Sequence, residues 1–292
     1  MTHAFQILHG QPRDIGFPVR RLLPQIQARA VGPFVFLDHM GPARFRPGTR
    51  ENDVRAHPHI GLGTITYLFS GAMMHRDSLG VVQRIQPGAL NWMCAGRGVV
   101  HSERIPADIR DAGIDVEGIQ MWIALPAGSE ELAPAFEHHA AETLPLWQAD
   151  GASWRLLIGQ WGAHRSPLRV PPETFYAAGE LAPDARFQFP PEVAERALYV
   201  ASGELRLEAL VAQAGDLVVL PPEAAPVIEA QTASRVMLLG GAPLDAPRHM
   251  WWNFVSTSRE RIAQAAADWE AGRFPSVPGE DESIPAPPLN RS

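Results

Sequence analysis

Residues 64–101 read TITYLFSGAMMHRDSLGVVQRIQPGALNWMCAGRGVVH. Four short runs in this stretch are rich in β-branched and aromatic residues, at 64–69, 81–85, 90–93 and 99–101. Ser-Gly, Pro-Gly and Gly-Arg-Gly turn signals separate the runs. Short strands joined by tight turns predict an antiparallel β-barrel or sandwich.

The same pattern extends in both directions from this stretch. Upstream and downstream runs lie at 34–37 and 118–125, and after Pro145 the pattern restarts at 154–159, 175–178, 197–200, 204–207 and 216–220. The chain holds 28 Pro and 25 Gly in 292 residues, about 18%, where about 12% is usual. We interpret this excess as the turns between many short strands, and we predict an all-β chain with two units of similar size.

A C-terminal segment departs from the β pattern. Between Thr257 and Ala271 the apolar residues are spaced as one helical face. Thr257 and Glu260 form a capping-box pattern, and Gly272 is placed to end the helix. We therefore expect a C-terminal helix, followed by an extended Pro-rich tail to Ser292.

Composition excludes several classes of function. The formal net charge is -7 and 46% of residues are hydrophobic, so the chain lacks the basic surface that direct nucleic-acid binding needs. Its apolar runs are shorter than the roughly 18 residues of a membrane span. Cys94 is the single cysteine, and the first residues show no signal peptide. We expect a cytoplasmic protein, and a monomer.

Two short motifs carry metal-ligating side chains, His57-Pro58-His59 and His101-Ser102-Glu103. In each motif the two candidate ligands are spaced i, i+2. On a β-strand this spacing places both side chains on one face, whereas on a helix it would splay them apart. If the two strands are neighbours inside a barrel, His57, His59, His101 and Glu103 converge. The pattern predicts a metal site with three imidazoles and one carboxylate.

Ligand chemistry leaves the metal and its geometry open. Fe(II), Mn, Ni, Cu and Zn all accept such ligands, and the absence of a cysteine ligand argues against a structural zinc finger. The four ligands suit an octahedral ion with two open positions or a closed tetrahedral one. His39 and His75 lack a spaced partner, and we expect them to support the site or to be structural.

Longer stretches around these motifs resemble the pirin family of the cupin superfamily. They are GPFVFLDHMGP at 32–42, HPHIG at 57–61, AGRGVVHSE at 95–103 and PRHMWWNFVS at 247–256. The resemblance implies a bicupin fold, with two stacked antiparallel cupin β-barrels, a C-terminal helix and an extended tail. We divide the chain into a metal-binding barrel at 1–145, a second barrel at 146–245, and the helix and strap at 246–292.

The resemblance also implies the ligands and one departure. The family's iron ligands correspond to His57, His59, His101 and Glu103, which makes Fe(II) the expected ion. Members usually carry a Glu four residues after the second histidine of HPH, where this chain has Gly63. A second acid-base carboxylate is therefore missing.

An ungapped alignment of the two units predicts that the second has no metal ligands. Matching their Ser-Gly turns puts Phe189 and Pro191 at the positions of His57 and His59. Matching their X-Gly turns puts Ile228 and Ala230 at those of His101 and Glu103. We therefore expect a structural role for the second barrel, in which it closes or shades the cavity of the first; the alternative is a separate binding site.

Two functions follow from the resemblance. One is quercetin 2,3-dioxygenase activity, the O2-dependent ring cleavage of a flavonol, with Glu103 as the candidate base. The other is a non-catalytic iron or redox sensor that regulates transcription or metabolism through a protein partner.

Overall fold

In the computed structural model, which describes residues 5–171 and 173–288, most regular structure is β-strand. The first thirteen strands are β1 (Gln6–His9), β2 (Gln11–Asp14), β3 (Pro18–Leu23), β4 (Phe34–Ala43), β5 (Val54–His59), β6 (Leu62–Ser70), β7 (Met73–Asp77), β8 (Val82–Ile85), β9 (Leu90–Cys94), β10 (Val99–Arg104), β11 (Val116–Ala124), β12 (Ala135–His139) and β13 (Leu146–Ala149). The later strands are β14 (Ala152–Ile158), β15 (Gln160–Trp161), β16 (His164–Arg165), β17 (Thr174–Leu181), β18 (Arg186–Phe187), β19 (Glu195–Ser202), β20 (Glu204–Leu207), β21 (Leu210–Gln213), β22 (Asp216–Leu220), β23 (Ile228–Ala230), β24 (Ser234–Gly241), β25 (His249–Trp251) and β26 (Phe254–Ser256). The α-helices are α1 (Ala107–Asp111) and α2 (Arg259–Glu270).

The strands assemble into antiparallel sheets, as the sequence predicts. Two sheets have seven strands, in the orders β1-β22-β19-β24-β17-β14-β13 and β12-β9-β6-β11-β4-β3-β2. Two have four strands, in the orders β5-β10-β7-β8 and β18-β23-β20-β21. The hairpins β15-β16 and β25-β26 complete the β structure.

The described chain forms two compact units that interleave in sequence. One contains the residues up to Arg13, Arg20–His39 and His139–Pro243. The other contains Asp14–Val19, Met40–His138 and the residues from Leu244 onward. Each unit has its own apolar core between a larger and a smaller sheet. The domain boundaries that the sequence predicts at residues 145 and 245 divide the chain into contiguous segments that would each fold as a unit. They stay a prediction.

In the second of these units, β10 lies between β5 and β7 in one sheet. The register pairs His101 with His57 on β5 and with Asp77 on β7, and it pairs Glu103 with His75. A register irregularity lies between His101 and Glu103. This central strand therefore brings three histidines and a carboxylate into adjacent positions.

The C-terminal helix is confirmed, but its predicted cap is wrong by one residue. α2 begins after Ser258, whose hydroxyl accepts a hydrogen bond from the Arg261 backbone N–H at 3.1 Å. Thr257 is engaged elsewhere, because its N–H and hydroxyl both donate to the buried carboxylate of Glu130. Gly272 adopts φ +66° after the last turn, as a helix-ending glycine should.

The tail beyond α2 is extended and attaches to β5. Ala56 forms a parallel bridge with Ser283, and the Ile284 N–H donates to the Ala56 carbonyl at 2.8 Å. We call residues 277–284 the strap. The last four residues of the predicted tail lie outside the described part of the chain. No helix in the described residues has the length and apolar character of a membrane span.

Candidate metal centre

Strand pairing brings the predicted histidines together. β5 and β10 are antiparallel neighbours, and His57, His59 and His101 are all buried. One ring nitrogen from each lies within 4.8 Å of the other two. The ring centroids of His57 and His101 are 4.4 Å apart. The i, i+2 argument for a shared face is therefore correct, and these three side chains could hold a metal ion.

Backbone carbonyls define the tautomers of two of these rings. His57 Nδ1 lies 2.8 Å from the Arg55 carbonyl, and His59 Nδ1 lies 3.2 Å from the Asn253 carbonyl. A carbonyl oxygen only accepts, so each Nδ1 carries the proton and donates it. In the neutral rings, Nε2 is then an unprotonated acceptor, which is the form that binds a metal.

A side-chain pair supports the third ring. Asp77 is fully buried, and its Oδ1 accepts the backbone N–H groups of Leu79 and Val81. Its Oδ2 lies 2.9 Å from His75 Nε2, so that nitrogen is the donor. His75 Nδ1 lies 3.4 Å from His101 Nδ1, where it can accept the proton of that nitrogen. His101 is left with an unprotonated Nε2, like the other two rings.

The resulting arrangement fits a cation. His59 Nε2 and His101 Nε2 are 3.1 Å apart, and neither has a proton to share if the tautomers follow their partners. Two lone pairs at this distance repel each other unless a positive charge lies between them. Nitrogens at right angles, each about 2.1 Å from one first-row ion, lie about 3.0 Å apart. The three histidines therefore match the donor set of a metal centre.

Burial keeps these histidines neutral. Desolvation lowers the pKa of His57 to about 4 and holds the pKa values of His59 and His101 well below their ordinary range. The neighbouring imidazoles add to the lowering for His59 and His101, because they disfavour a second positive charge. At neutral pH protons do not compete for the ring nitrogens.

Glu103 lies beside the histidines in a polar environment of its own. The Thr66 hydroxyl lies 3.3 Å from Glu103 Oε1 and 2.9 Å from Gln120 Oε1. Burial raises the pKa of Glu103, partly offset by His75 and by the Thr66 hydroxyl. Its carboxylate does not belong to the group within 4.8 Å that the three histidines form. Its assignment as a fourth ligand stays a prediction.

The position that lacks the usual glutamate is occupied by an aromatic ring. Gly63 lies on β6 opposite Cys94, and a Cβ at this position would lie 1.9 Å from Cη2 of the buried Trp92. Any side chain at 63 requires Trp92 to move. Gly63 and Trp92 are therefore packed against each other, and the Trp92 indole occupies the space that a side chain at position 63 would need.

Sequence reasoning missed several residues that shape the site. Thr66 and Gln120 support Glu103, Asp77 supports His75, and Asn253 supplies a carbonyl from residues far along the chain. A usable signal existed for Thr66 and Gln120, because each is a polar residue in an otherwise apolar β run. None existed for Asn253, whose contact comes from its backbone.

The remaining predicted histidines separate into two roles. His75 packs against His101 with ring centroids 5.3 Å apart and stacks on Phe136. His39 instead pairs with the Tyr199 hydroxyl at 2.6 Å, within the other unit. In that unit Phe189, Ile228 and Ala230 are buried core residues, whereas Pro191 is exposed. The loss of metal ligands there stays a prediction.

Comparisons with known proteins identify the family. The sequence profile of the pirin family matches residues 16–123, and that of the pirin C-terminal cupin domain matches residues 176–275. A pirin-like protein of Caulobacter vibrioides is 44% identical over 96% of this chain and 98% of its own length. The chain belongs to the pirin family. This confirms the resemblance drawn from the motifs.

Two further pirin-family matches carry an activity in their names. A Pseudomonas aeruginosa protein described as a candidate quercetin 2,3-dioxygenase is 38% identical over 98% of this chain and 91% of its own length. The crystal structure of quercetin 2,3-dioxygenase from Acinetobacter baumannii superposes with a TM-score of 0.90 at 33% identity, covering 99% of this chain and 96% of that one. The predicted bicupin fold is confirmed by this match.

Proposed function

We propose that this pirin-family chain is a mononuclear iron protein that holds Fe(II) through His57, His59, His101 and Glu103. The observation that carries the proposal is the approach of His59 Nε2 and His101 Nε2 to 3.1 Å, with partners that leave both nitrogens without a proton. Glu103 is buried and adjacent on the same strand as His101. A carboxylate there would offset part of the charge of a divalent ion.

We further propose a quercetin 2,3-dioxygenase type of activity, which the names of two similar proteins support. Bound Fe(II) would supply a Lewis acid that lowers the pKa of the flavonol 3-hydroxyl and activates the reaction with O2. The chain would supply the base. The carboxylate of Glu103 takes the 3-hydroxyl proton, and its raised pKa makes it a stronger base than an exposed glutamate.

Neighbouring side chains would orient this base and shield the site. The Thr66 hydroxyl is within reach of Glu103 Oε1, and Gln120 competes for the same hydroxyl. When Thr66 turns to Gln120, one Glu103 oxygen is released to accept a proton. Trp122 lies edge-on to His59 with ring centroids 5.3 Å apart and covers that ring with apolar surface.

Oxygen uptake with quercetin tests the enzyme proposal. Iron-loaded protein is expected to consume O2 and quercetin together, and His59→Ala is expected to lose both metal and turnover. Glu103→Gln keeps a ligand oxygen but not the base, so kcat should fall more than metal content. Full iron occupancy without turnover of any flavonol or catechol would exclude this activity.

A second function, an iron or redox sensor that acts through a protein partner, is favoured by one observation. Gly63 stands where the family resemblance implies a glutamate, and the Trp92 ring occupies the space beside it, so this position supplies no acid-base group. A sensor needs a partner whose affinity differs between the ferrous and ferric protein. Pull-down from lysate with each form, followed by Kd measurement, tests this. Equal affinities in both states remove the sensor function.

We also propose that the chain acts in the cytoplasm as a monomer. The single cysteine, Cys94, is buried, and burial raises the pKa of its thiol, which suits a reducing compartment. Size-exclusion chromatography with light scattering should give a mass near 31.9 kDa. A mass near twice that value would contradict a monomer.

A further inference from the structure

A cavity lies on the other side of β10, the strand that carries His101 and Glu103. Successive side chains of a strand point to opposite faces, so Arg104 points away from the face that Glu103 occupies. The cavity has a volume of about 550 Å³, and Arg104, Arg76 and Met74 are among its lining residues. This volume lies within the range of small-molecule sites. The cavity is separate from the metal centre.

Arginines outnumber acids among the residues that line this cavity. Its lining contains four arginines and two acids. One acid, Asp53, is committed to the buried Arg110 and to the Ile105 backbone N–H. The other, Glu280, accepts hydrogen bonds from Ser102 and Arg104. Two acids of the strap outside the lining add to them, because Asp281 pairs with Arg50 at 3.6 Å and Glu282 with Arg104 at 3.1 Å. Arg76 is the lining arginine without an ion-pair partner among the described residues.

Two of the arginines keep donors without acceptors. Nη1 of the buried Arg104 has no hydrogen-bond partner among the described residues, and the nearest ion-pair oxygen, Asp53 Oδ2, is 3.8 Å away. Within the same described part of the chain, the Arg76 side chain makes neither a hydrogen bond nor an ion pair. Buried guanidinium donors without an acceptor are unfavourable. A bound ligand with several oxygen acceptors would satisfy them.

We propose that this cavity binds a compact dianion, either a phosphate ester or a dicarboxylate. Guanidinium groups recognise planar or tetrahedral oxyanions through paired N–H donors, and Arg76 together with Nη1 of Arg104 offers such donors to the oxygens of one anion. Arg76 holds the anion at the cavity wall, while Met74 and Ile105 contact its carbon skeleton. This site goes beyond the proposed iron chemistry and does not depend on it.

Calorimetric titration of the full chain tests the site with two probes, inorganic phosphate and succinate, at constant ionic strength. Wild-type protein is expected to bind at least one of them. Arg76→Gln should bind it at least about tenfold more weakly, because one charged donor is lost. Arg84→Gln is the matched control, since Arg84 is on the neighbouring strand and pairs with the exposed Asp108. Its affinity should match wild type.

The comparison of probes and variants decides the outcome. Tighter phosphate binding assigns the site to phosphate esters, and tighter succinate binding assigns it to dicarboxylates. Binding must persist in His59→Ala, because an anion that only coordinates the metal would be lost there. No binding of either probe at about 10 mM, loss in His59→Ala, or equal weakening in the Arg76 and Arg84 variants would overturn the proposal.

Discussion

His57, His59 and His101 are organised by what lies behind each ring. Two Nδ1 atoms face backbone carbonyls, of Arg55 and Asn253, which are rigid acceptors. The third faces His75, a side chain that is itself held by Asp77. The groups that face these Nδ1 atoms decide which ring nitrogen is free to bind a metal. A chain that kept the histidines but lost these groups would therefore not keep the site.

Replacing His101 by Ala should abolish metal binding but leave the unit folded. The core of this unit consists of apolar side chains between its sheets, and a domain of this size does not need an ion to fold. Elemental analysis and far-UV circular dichroism measure the two effects. His9→Ala, which removes an exposed histidine, is the control and should keep the metal. Unfolding of His101→Ala at room temperature would contradict the expectation.

Replacing His75 by Phe should weaken metal binding about 10- to 100-fold, the usual effect of losing the partner of a ligating histidine. Phe keeps the apolar contact with Phe136 but offers no acceptor to His101 Nδ1. Chelator competition measures the affinity. His75→Gln is the matched variant, because its amide oxygen can accept that hydrogen bond, and it should recover part of the affinity. Equal affinities for Phe and Gln would show that His75 only fills space.

At the level of elements, the strap fastens the two strands that carry the site. It bridges β5 at Ala56 and reaches β10 through Glu280, which accepts from the Ser102 hydroxyl at 2.8 Å and pairs with Arg104. Ser102 lies between His101 and Glu103 in sequence, but its role is to bind the strap. Its side chain points away from the histidines and is held by the strap.

Replacing Glu280 by Ala should destabilise the chain by about 3 kcal/mol, because it removes the buried carboxylate that pairs with the buried Arg104. Glu282 pairs with the same guanidinium but is half exposed. Glu282→Ala is therefore the matched control, with an expected loss below about 1 kcal/mol. Urea denaturation of both variants measures the difference. Equal losses would mean that burial of the Glu280 pair contributes nothing.

At the level of the whole molecule, two units of similar architecture have different chemistry. The chain has two seven-stranded and two four-stranded antiparallel sheets, and each unit has its own apolar core. In one unit the ligand positions hold histidines. Of the positions that the ungapped alignment matches to them and to Glu103, Phe189, Ile228 and Ala230 are buried and Pro191 is exposed. Burying apolar residues there avoids the free-energy cost of desolvating imidazole rings, which are polar even when neutral.

The metal-free protein should lose stability as the pH falls from about 6.5 to 4. Below pH 6.5 the unfolded chain protonates His57, whereas the folded chain does so only near its lowered pKa of about 4. The unfolded state therefore binds more protons across this window, so the free energy of unfolding falls with decreasing pH. His59 and His101 act in the same direction, and the raised pKa of Glu103 opposes them.

Thermal unfolding as a function of pH, after chelator treatment, measures this dependence. His57→Gln lacks one of the titrating rings and should show a shallower fall of Tm between pH 6.5 and 4. Its Tm at pH 7 is not the criterion, since the substitution also changes packing. A variant slope as steep as that of wild type would show that His57 is not held neutral by burial.

Much of the fold and half of the site could be predicted from local pattern. Period-two spacing placed His57 and His59 on one face of a strand, and turn signals separated the strands correctly. The helix was recognised from its apolar face, but its cap was misplaced, because Thr257 is recruited by Glu130, more than a hundred residues away in sequence. α1 was not anticipated at all, since five residues are too few for a periodic signal.

The sequence by itself determined that short strands would be joined by tight turns, that His57 and His59 would share a face, and to which family the chain belongs. Only the tertiary structure decided which groups stand behind those ligands. Asp77 and Asn253 reach the site through strand register and chain crossings, with Asn253 lying 194 positions from His59, while Glu280 contacts the opposite face of β10. Periodicity acts over a few residues, whereas these contacts depend on how whole strands pair and pack.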